Sequence, residues 1–419
     1  MSLLVSVIAP GCSPWRCAHY FSPTVTTPQL PGPTSRSTAA LALLFVVALA
    51  ACAREDTRSL TAPTHTEDAV PAFNIVPVTA GGGGLDQPSR LDFATYDGSS
   101  QVVHPDVLRA PEAWGGQLLT VVTPYPNSQT RYENPSVFSG TSGETWAPLP
   151  GGANPVATTT RGYLSDPDLV YDPSRDEVRL YFREVVMAGK RHVADNVYYM
   201  TSPDGVRWSE RTLATATSGR YVVSPSVVRD SSGAWRMWAV DAGSRGCKAK
   251  DSKLVVSVST DGRQWSPATA ARFAQPGYVP WHLDVQWVPS RREYWALVAA
   301  YPLGETCMAT SLFLSTSTDG ETWTTYPAPV LARGTVPQFA ANVYRSSLVF
   351  DSENAVTLWM SGARSIPSAI RLTRSSLEWS AAVARTTASA LLARVNRPVA
   401  VAAYRLKPPV TPYADNDVP

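Results

Sequence analysis

Gly140-Thr-Ser-Gly-Glu-Thr-Trp146, Ser202-Pro-Asp-Gly-Val-Arg-Trp208, Ser259-Thr-Asp-Gly-Arg-Gln-Trp265 and Ser317-Thr-Asp-Gly-Glu-Thr-Trp323 are four versions of one phrase, and Ser375-Ser-Leu-Glu-Trp379 reads as an eroded fifth. The tryptophans stand 62, 57, 58 and 56 residues apart. A fixed period of this size is the mark of a repeat architecture. Asp-Gly between β-rich runs is a hairpin turn, because both residues tolerate positive φ. The following tryptophan is placed to pack between neighbouring sheets.

The rest of each unit repeats as well. An apolar strand opens it: His104-Pro-Asp-Val-Leu108, Asp166-Pro-Asp-Leu-Val170, Ser224-Pro-Ser-Val-Val228, His282-Leu-Asp-Val-Gln286 and Arg345-Ser-Ser-Leu-Val349. An aromatic-rich second strand follows, as in Val178-Arg-Leu-Tyr-Phe182 and Trp235-Arg-Met-Trp238, and a third runs into the Asp-Gly turn. Four short antiparallel strands per unit, repeated around a ring, predict an all-β chain, a five-bladed β-propeller. The expected limits are a signal segment over 1–51, a flexible tether over 52–96, the propeller over 97–405 and a disordered tail over 406–419.

The 36 Pro and 26 Gly fit a turn-rich chain, and the 13 Trp and 17 Tyr fit aromatic blades and carbohydrate-facing surfaces. A net charge of +2 with no basic stripe along one element argues against a nucleic-acid partner. Ala39–Ala51 is an apolar run of 13 residues, too short to span a bilayer, and it ends in Leu49-Ala-Ala-Cys52. This ending resembles a bacterial lipoprotein signal. The resemblance implies export and a lipid anchor on Cys52, the membrane being a partner through that anchor only. Residues 1–35 are long and Pro-rich for an n-region, which points to a translation start further downstream. The polar stretch after Cys52, including Gly81-Gly-Gly-Gly84, is the expected tether. Cys247 and Cys307 lie one period apart, in equivalent loops of adjacent blades. In an oxidising compartment they are expected to bond.

In a propeller the innermost strands converge on a central channel. Their starts, and the loops between second and third strands, share one face, with the Asp-Gly turns on the other. The first face gathers His104, Asp106, Asp166, Asp168, Ser224, Ser226, His282, Asp284 and Arg345 from strand starts, and Arg131, Tyr132, Glu133, Asn134, Arg183, Glu184 and Asp241 from loop positions. Glycoside hydrolysis needs two carboxylates, one of them protonated, and crowded acids raise one another's pKa. A strand-start Asp also has a plain structural use, as a cap on exposed backbone N–H groups.

The repeated phrase is similar to the Asp-box of sialidases, but sialidases have six blades. The Asp166-Pro-Asp-Leu-Val170 strand followed by an aromatic strand resembles the five-bladed glycosidases of the arabinanase, xylosidase and invertase type, over residues 104 to about 383. That resemblance implies a base Asp on the first blade, a modulating Asp on the second and an acid Glu on the third. The second blade matches through Asp166 and Asp168, the first offers Asp106 two residues along from His104, and the third has Ser226 where the acid belongs. Glu133 is the substitute acid. The expectation is thus a cell-surface glycoside hydrolase with Asp106, Asp166, Asp168 and Glu133 catalytic, and with His104, Arg131, His282, Asp284, Arg183 and Glu184 binding substrate. The alternative is a carbohydrate-binding propeller without catalysis. No cofactor or resident metal is expected, beyond an ion or water in the channel.

Overall fold

In a computed structural model the described residues are 83–366 and 377–398. The signal segment, Cys52, most of the tether and the C-terminal tail lie outside them. Five sheets of four antiparallel strands form the blades. The first is Val102–Arg109, Leu118–Pro124, Ser136–Gly140 and Ala147–Pro148. The second is Gly162–Asp172, Glu177–Ala188, Arg191–Ser202 and Thr212–Ser218, and the third is Val222–Arg229, Trp235–Asp241, Lys253–Ser259 and Thr269–Ala270. The fourth is Tyr278–Val288, Glu293–Pro302, Ser311–Ser317 and Thr324–Thr325. In the fifth, Asn342–Phe350, Ala355–Ser365 and Leu377–Thr387 are completed on the outside by Ser89–Leu91, from the N-terminal side of the ring. The ring therefore begins before residue 97, and part of the expected tether is its clasp: Ser89, Arg90 and Leu91 pair with Val383, Ala382 and Ala381.

The core lies between blades. Leu119, Val121, Leu164, Leu180 and Phe182 fill the gap between the first and second, and Val170, Tyr181, Val227, Trp235 and Met237 that between the second and third. The repeated phrase works at these seams. Trp323 of blade four lies edge-on to Trp238 of blade three, whose Nε1 donates to the Gly320 carbonyl at 2.7 Å. Trp146 and Gly143 of blade one treat Trp359 of blade five the same way, the bond again 2.7 Å. Trp265 and Gly262 clamp Tyr181 of blade two. Blade one carries Val121 at this register, so Gly205 of blade two meets only leucine side chains.

The fifth phrase differs. Trp379 lies in the third strand of blade five, at the end nearer the central site, and its Nε1 donates to Ser128 at 2.8 Å. Blade five takes its outer strand from upstream, so no hairpin turn is required after its third strand. The chain instead continues into a helix, Ala388–Val395, capped by Thr387. The count of five was right, although Trp379 is not the repeat's fifth tryptophan. Cys247 and Cys307 form a disulfide with Cα atoms 4.8 Å apart.

Candidate functional site

Near the start of each inner strand one residue faces the channel: His104, Asp166, Ser224, His282 and Arg345. At the first three the backbone is left-handed, with φ of 56°, 50° and 56°, and the strand register breaks at that point in each blade. Each precedes a proline, which ordinarily pushes its neighbour to extended backbone. Left-handed residues of this kind cost about 1–3 kcal/mol each and gather at functional sites.

Asp166 is the hub. Its Oδ1 lies 3.3 Å from His104 Nε2 and 3.1 Å from His282 Nδ1, and its Oδ2 lies 2.8 Å from Arg183 Nε. Ser224 Oγ is 2.5 Å from His282 Nδ1, and His104 Nδ1 is 2.9 Å from Thr123 Oγ1. Tyr344 packs against both imidazoles, its ring centre 5.3 Å from that of His104 and 4.2 Å from that of His282. Behind Arg183 stands Asp195, whose Oδ2 meets Arg183 at 3.3 Å and whose Oδ1 meets His192 at 2.9 Å. Glu133 Oε2 accepts from Ser165 at 2.8 Å and lies 3.8 Å from His104 Nδ1.

The charge states follow from burial and neighbours. Burial pushes both imidazoles below the ordinary histidine range, His104 strongly, although Asp166 pulls the other way. Burial thus favours the neutral form of both rings. Burial alone would raise Asp166, but Arg183, His104 and His282 outweigh it and hold the carboxyl well below its usual range. Burial pushes Glu133 up to about 8, with the Ser165 bond opposing and the Asp166 charge adding. A carboxyl with this pKa can both take and give a proton near neutrality.

Two residues further down each inner strand the side chains do a different job. Asp106 accepts from Leu169 N at 2.5 Å, Asp168 from Val227 N at 2.8 Å, Ser226 from Val285 N at 2.9 Å and Ser347 from Val107 N at 3.3 Å. Each thus holds the inner strand of the adjacent blade. Arg345 reaches down to this layer and lies 2.9 Å from Asp168 and 3.5 Å from Asp284. Asp106 and Asp168, expected as catalytic, are therefore buried members of the inter-blade ring, and Asp284, expected to bind substrate, is buried beside the counter-ion Arg345. Glu184 also leaves the substrate-binding set. Successive strand residues point to opposite faces, so Arg183 turns to the channel while Glu184 turns to Thr159, Arg161 and Arg211. Arg131, also expected to bind substrate, is exposed and stacked on Tyr132 at 4.7 Å. Asp241 pairs with Arg220 at 2.6 Å.

Sequence reading missed Tyr344, Asp195, His192, Thr123 and Ser165. Tyr344 adjoins Arg345 and Ser165 adjoins Asp166, the available signals. Thr123, His192 and Asp195 lie on second and third strands, and cross-strand register brings them in.

His104, Asp166 and His282 each bring a ligand atom to within 4.8 Å of the others, and Nε2 of both histidines has no hydrogen-bond partner. Two neutral imidazoles and a carboxylate suit a divalent first-row cation. Asp106, Asp168 and Asp284 meet the same distance test, but Arg345 already supplies their positive charge.

No protein-family model matches the sequence. A relative described as A type blood N-acetyl-alpha-D-galactosamine deacetylase, from Flavonifractor plautii, is 28% identical over 312 aligned residues, covering 63% of this chain and 40% of the relative. The chain thus spans about two fifths of that relative's length. The crystal structure of an N-acetylgalactosamine deacetylase from F. plautii, in complex with blood group B trisaccharide, is similar with a TM-score of 0.66 at 25% identity, over 74% of this chain and 97% of that one. A xylan beta-1,4-xylosidase from Bacillus halodurans C-125 shares the fold, with a TM-score of 0.51 at 13% identity over 73% of this chain and 54% of that one. The likeness to five-bladed glycosidase propellers expected from the sequence is thus a likeness of fold.

Proposed function

We propose that this chain is a carbohydrate-active hydrolase that removes the N-acetyl group of an amino sugar, with a divalent cation held by His104, Asp166 and His282. The observation that carries the reading is the convergence of those three side chains beside the buried acid Glu133, 3.8 Å from His104. A two-carboxylate glycosidase finds less support. Asp106 and Asp168 are committed to the inter-blade ring, Asp284 lies against Arg345, and Asp166 is ionised against Arg183. The likeness to an N-acetylgalactosamine deacetylase points the same way.

A bound cation supplies positive charge that polarises an amide carbonyl and acidifies water. This chain's residues supply the rest. Glu133 takes a proton from the attacking water, whose oxygen adds to the acyl carbon. The acyl carbon–nitrogen bond then breaks, and Glu133 returns the proton to the departing nitrogen, giving acetate and a free amine. Arg183 holds Asp166 in its ionised, ligating form. Tyr344 walls the centre against both imidazoles.

The test is acetate release from N-acetylated aryl hexosaminides and N-acetylgalactosamine-terminated oligosaccharides, with added divalent cation and with chelator. Cation-dependent acetate release supports the reading. Release of an intact N-acetylated sugar without acetate overturns it in favour of glycoside hydrolysis.

A further inference from the structure

On the site face, two neighbouring loops carry an excess of positive charge. They join the second and third strands of blades two and three and, with the flanking strand residues, cover 188–191 and 242–253. Between them they hold six cations, Lys190, Arg191, Arg245, Lys248, Lys250 and Lys253, and one acid, Asp251. All six cations are exposed. The whole chain, by contrast, has 36 cations and 34 acids. The matching stretch of blade four, residues 303–310, holds Glu305 as its only charge, and that of blade one, residues 125–134, holds Arg131 and Glu133.

Register puts both loops at the channel end that carries Asp166. Leu164 pairs with Glu184, Met187 with His192, and Val222 with Asp241, which pairs in turn with Lys253. The rim is also joined to the centre. His192, next to Arg191, stacks on Tyr221 at 3.8 Å and meets Asp195, which meets the Arg183 that holds Asp166. The disulfide from Cys247 to Cys307 fixes the cation-bearing loop of blade three to blade four. Arg245 pairs with Asp251 at 2.9 Å, and Arg191, Lys250 and Lys253 stand exposed on the rim. Like charges held at one side of a cleft raise the local concentration of an oppositely charged ligand.

We infer that the rim of blades two and three binds an anionic polysaccharide, a glycan with carboxylate or sulfate groups spaced along the chain that enters the site. This rests on the reading of the site as glycan-directed and names its substrate class. The centre selects the amino sugar, and the rim selects the charge of its neighbours.

The experiment measures binding of the full chain to hyaluronan, whose anions are carboxylates, to chondroitin sulfate, which adds sulfates, to neutral chito-oligosaccharide and to duplex DNA, at low and high salt. Hyaluronan, chondroitin sulfate or both are expected to bind about tenfold or more above the neutral oligosaccharide at low salt and to lose that advantage at high salt. Their ranking identifies the anion. Replacing Arg191→Ala, Lys250→Ala and Lys253→Ala together should weaken anionic-glycan binding about tenfold and leave acetate release from a neutral N-acetylated monosaccharide unchanged. Equal binding of neutral and anionic glycans, an unaffected triple variant, or DNA binding as tight as the glycans overturns the inference. If salt- and variant-sensitive glycan binding persists but no acetate is released from any substrate, the deacetylation reading falls and the anionic-glycan inference stands.

Discussion

Trp238 Nε1 donates to the Gly320 carbonyl at 2.7 Å, so one hydrogen bond fastens the second strand of blade three to the turn of blade four. Trp238→Phe keeps a ring but leaves that buried carbonyl without its donor, and is expected to lower stability by about 1–3 kcal/mol. Gly320→Ala attacks the same joint from the other side: φ is +73° and a Cβ would fall 2.9 Å from Trp238. Urea unfolding of both variants checks this. Unchanged midpoints would remove the turn from the list of seams.

Asp166→Asn should abolish divalent-cation binding and acetate release while leaving the circular dichroism spectrum in place. Asp195→Asn acts one shell further out, through Arg183, and should weaken cation binding about 10–100-fold. Titration calorimetry with the cation alone reads both. Full binding by the Asp166 variant would dismiss the proposed centre.

Glu133 and Asp284 both have carboxyls raised to about 8, in each case chiefly by burial. A carboxyl raised in the folded state favours folding below its unfolded pKa, and that contribution is lost as pH rises through the folded value. Stability is therefore expected to fall between about pH 4.5 and 8 on account of these two groups, and Asp284→Asn should flatten the fall. Activity runs the opposite way. Proton uptake by Glu133 requires its ionised form, so kcat/KM should climb through about pH 8, and Glu133→Gln should erase both limb and turnover.

Reducing the bond between Cys247 and Cys307 frees a loop with a sequence separation of 60 residues, for which chain entropy gives a loss of about 4 kcal/mol. Thermal unfolding with and without reductant measures it. A shift confined to the reduced form of wild type, absent in Cys247→Ser, is the expected pattern.

Cys52→Ser should abolish acyl labelling and move the protein from the membrane fraction to the soluble one, as the Leu49-Ala-Ala-Cys52 ending predicts. Unchanged partitioning would exclude the anchor.

The ring was legible because hairpin turns and alternating apolar strands are local, and a period repeats that local evidence. The clasp was not legible. Ser89-Arg-Leu91 is too short to read as a strand, and its partner lies almost 300 residues downstream. In the site, His104, Asp166, His282 and Glu133 were all visible as strand-start or loop residues on one face. What one chain could not reveal is that a shift of two residues separates side chains that face the channel from side chains that hold the next blade. Asp166 and Asp168 look alike in sequence, yet one meets two histidines and the other a backbone N–H. That difference is made by the left-handed residue and register break at Asp166.

The clasp also gives the ring a mechanical direction. A pull on the chain upstream of Gly83 is borne first by the hydrogen bond from Arg385 N to the Gly83 carbonyl, and next by the three pairs of Ser89–Leu91. Under load, blade five is the one to peel, and blade five supplies Tyr344 and Arg345 to the channel. Tension on the N-terminal segment and the geometry of the channel site are thus coupled through a strand of three residues.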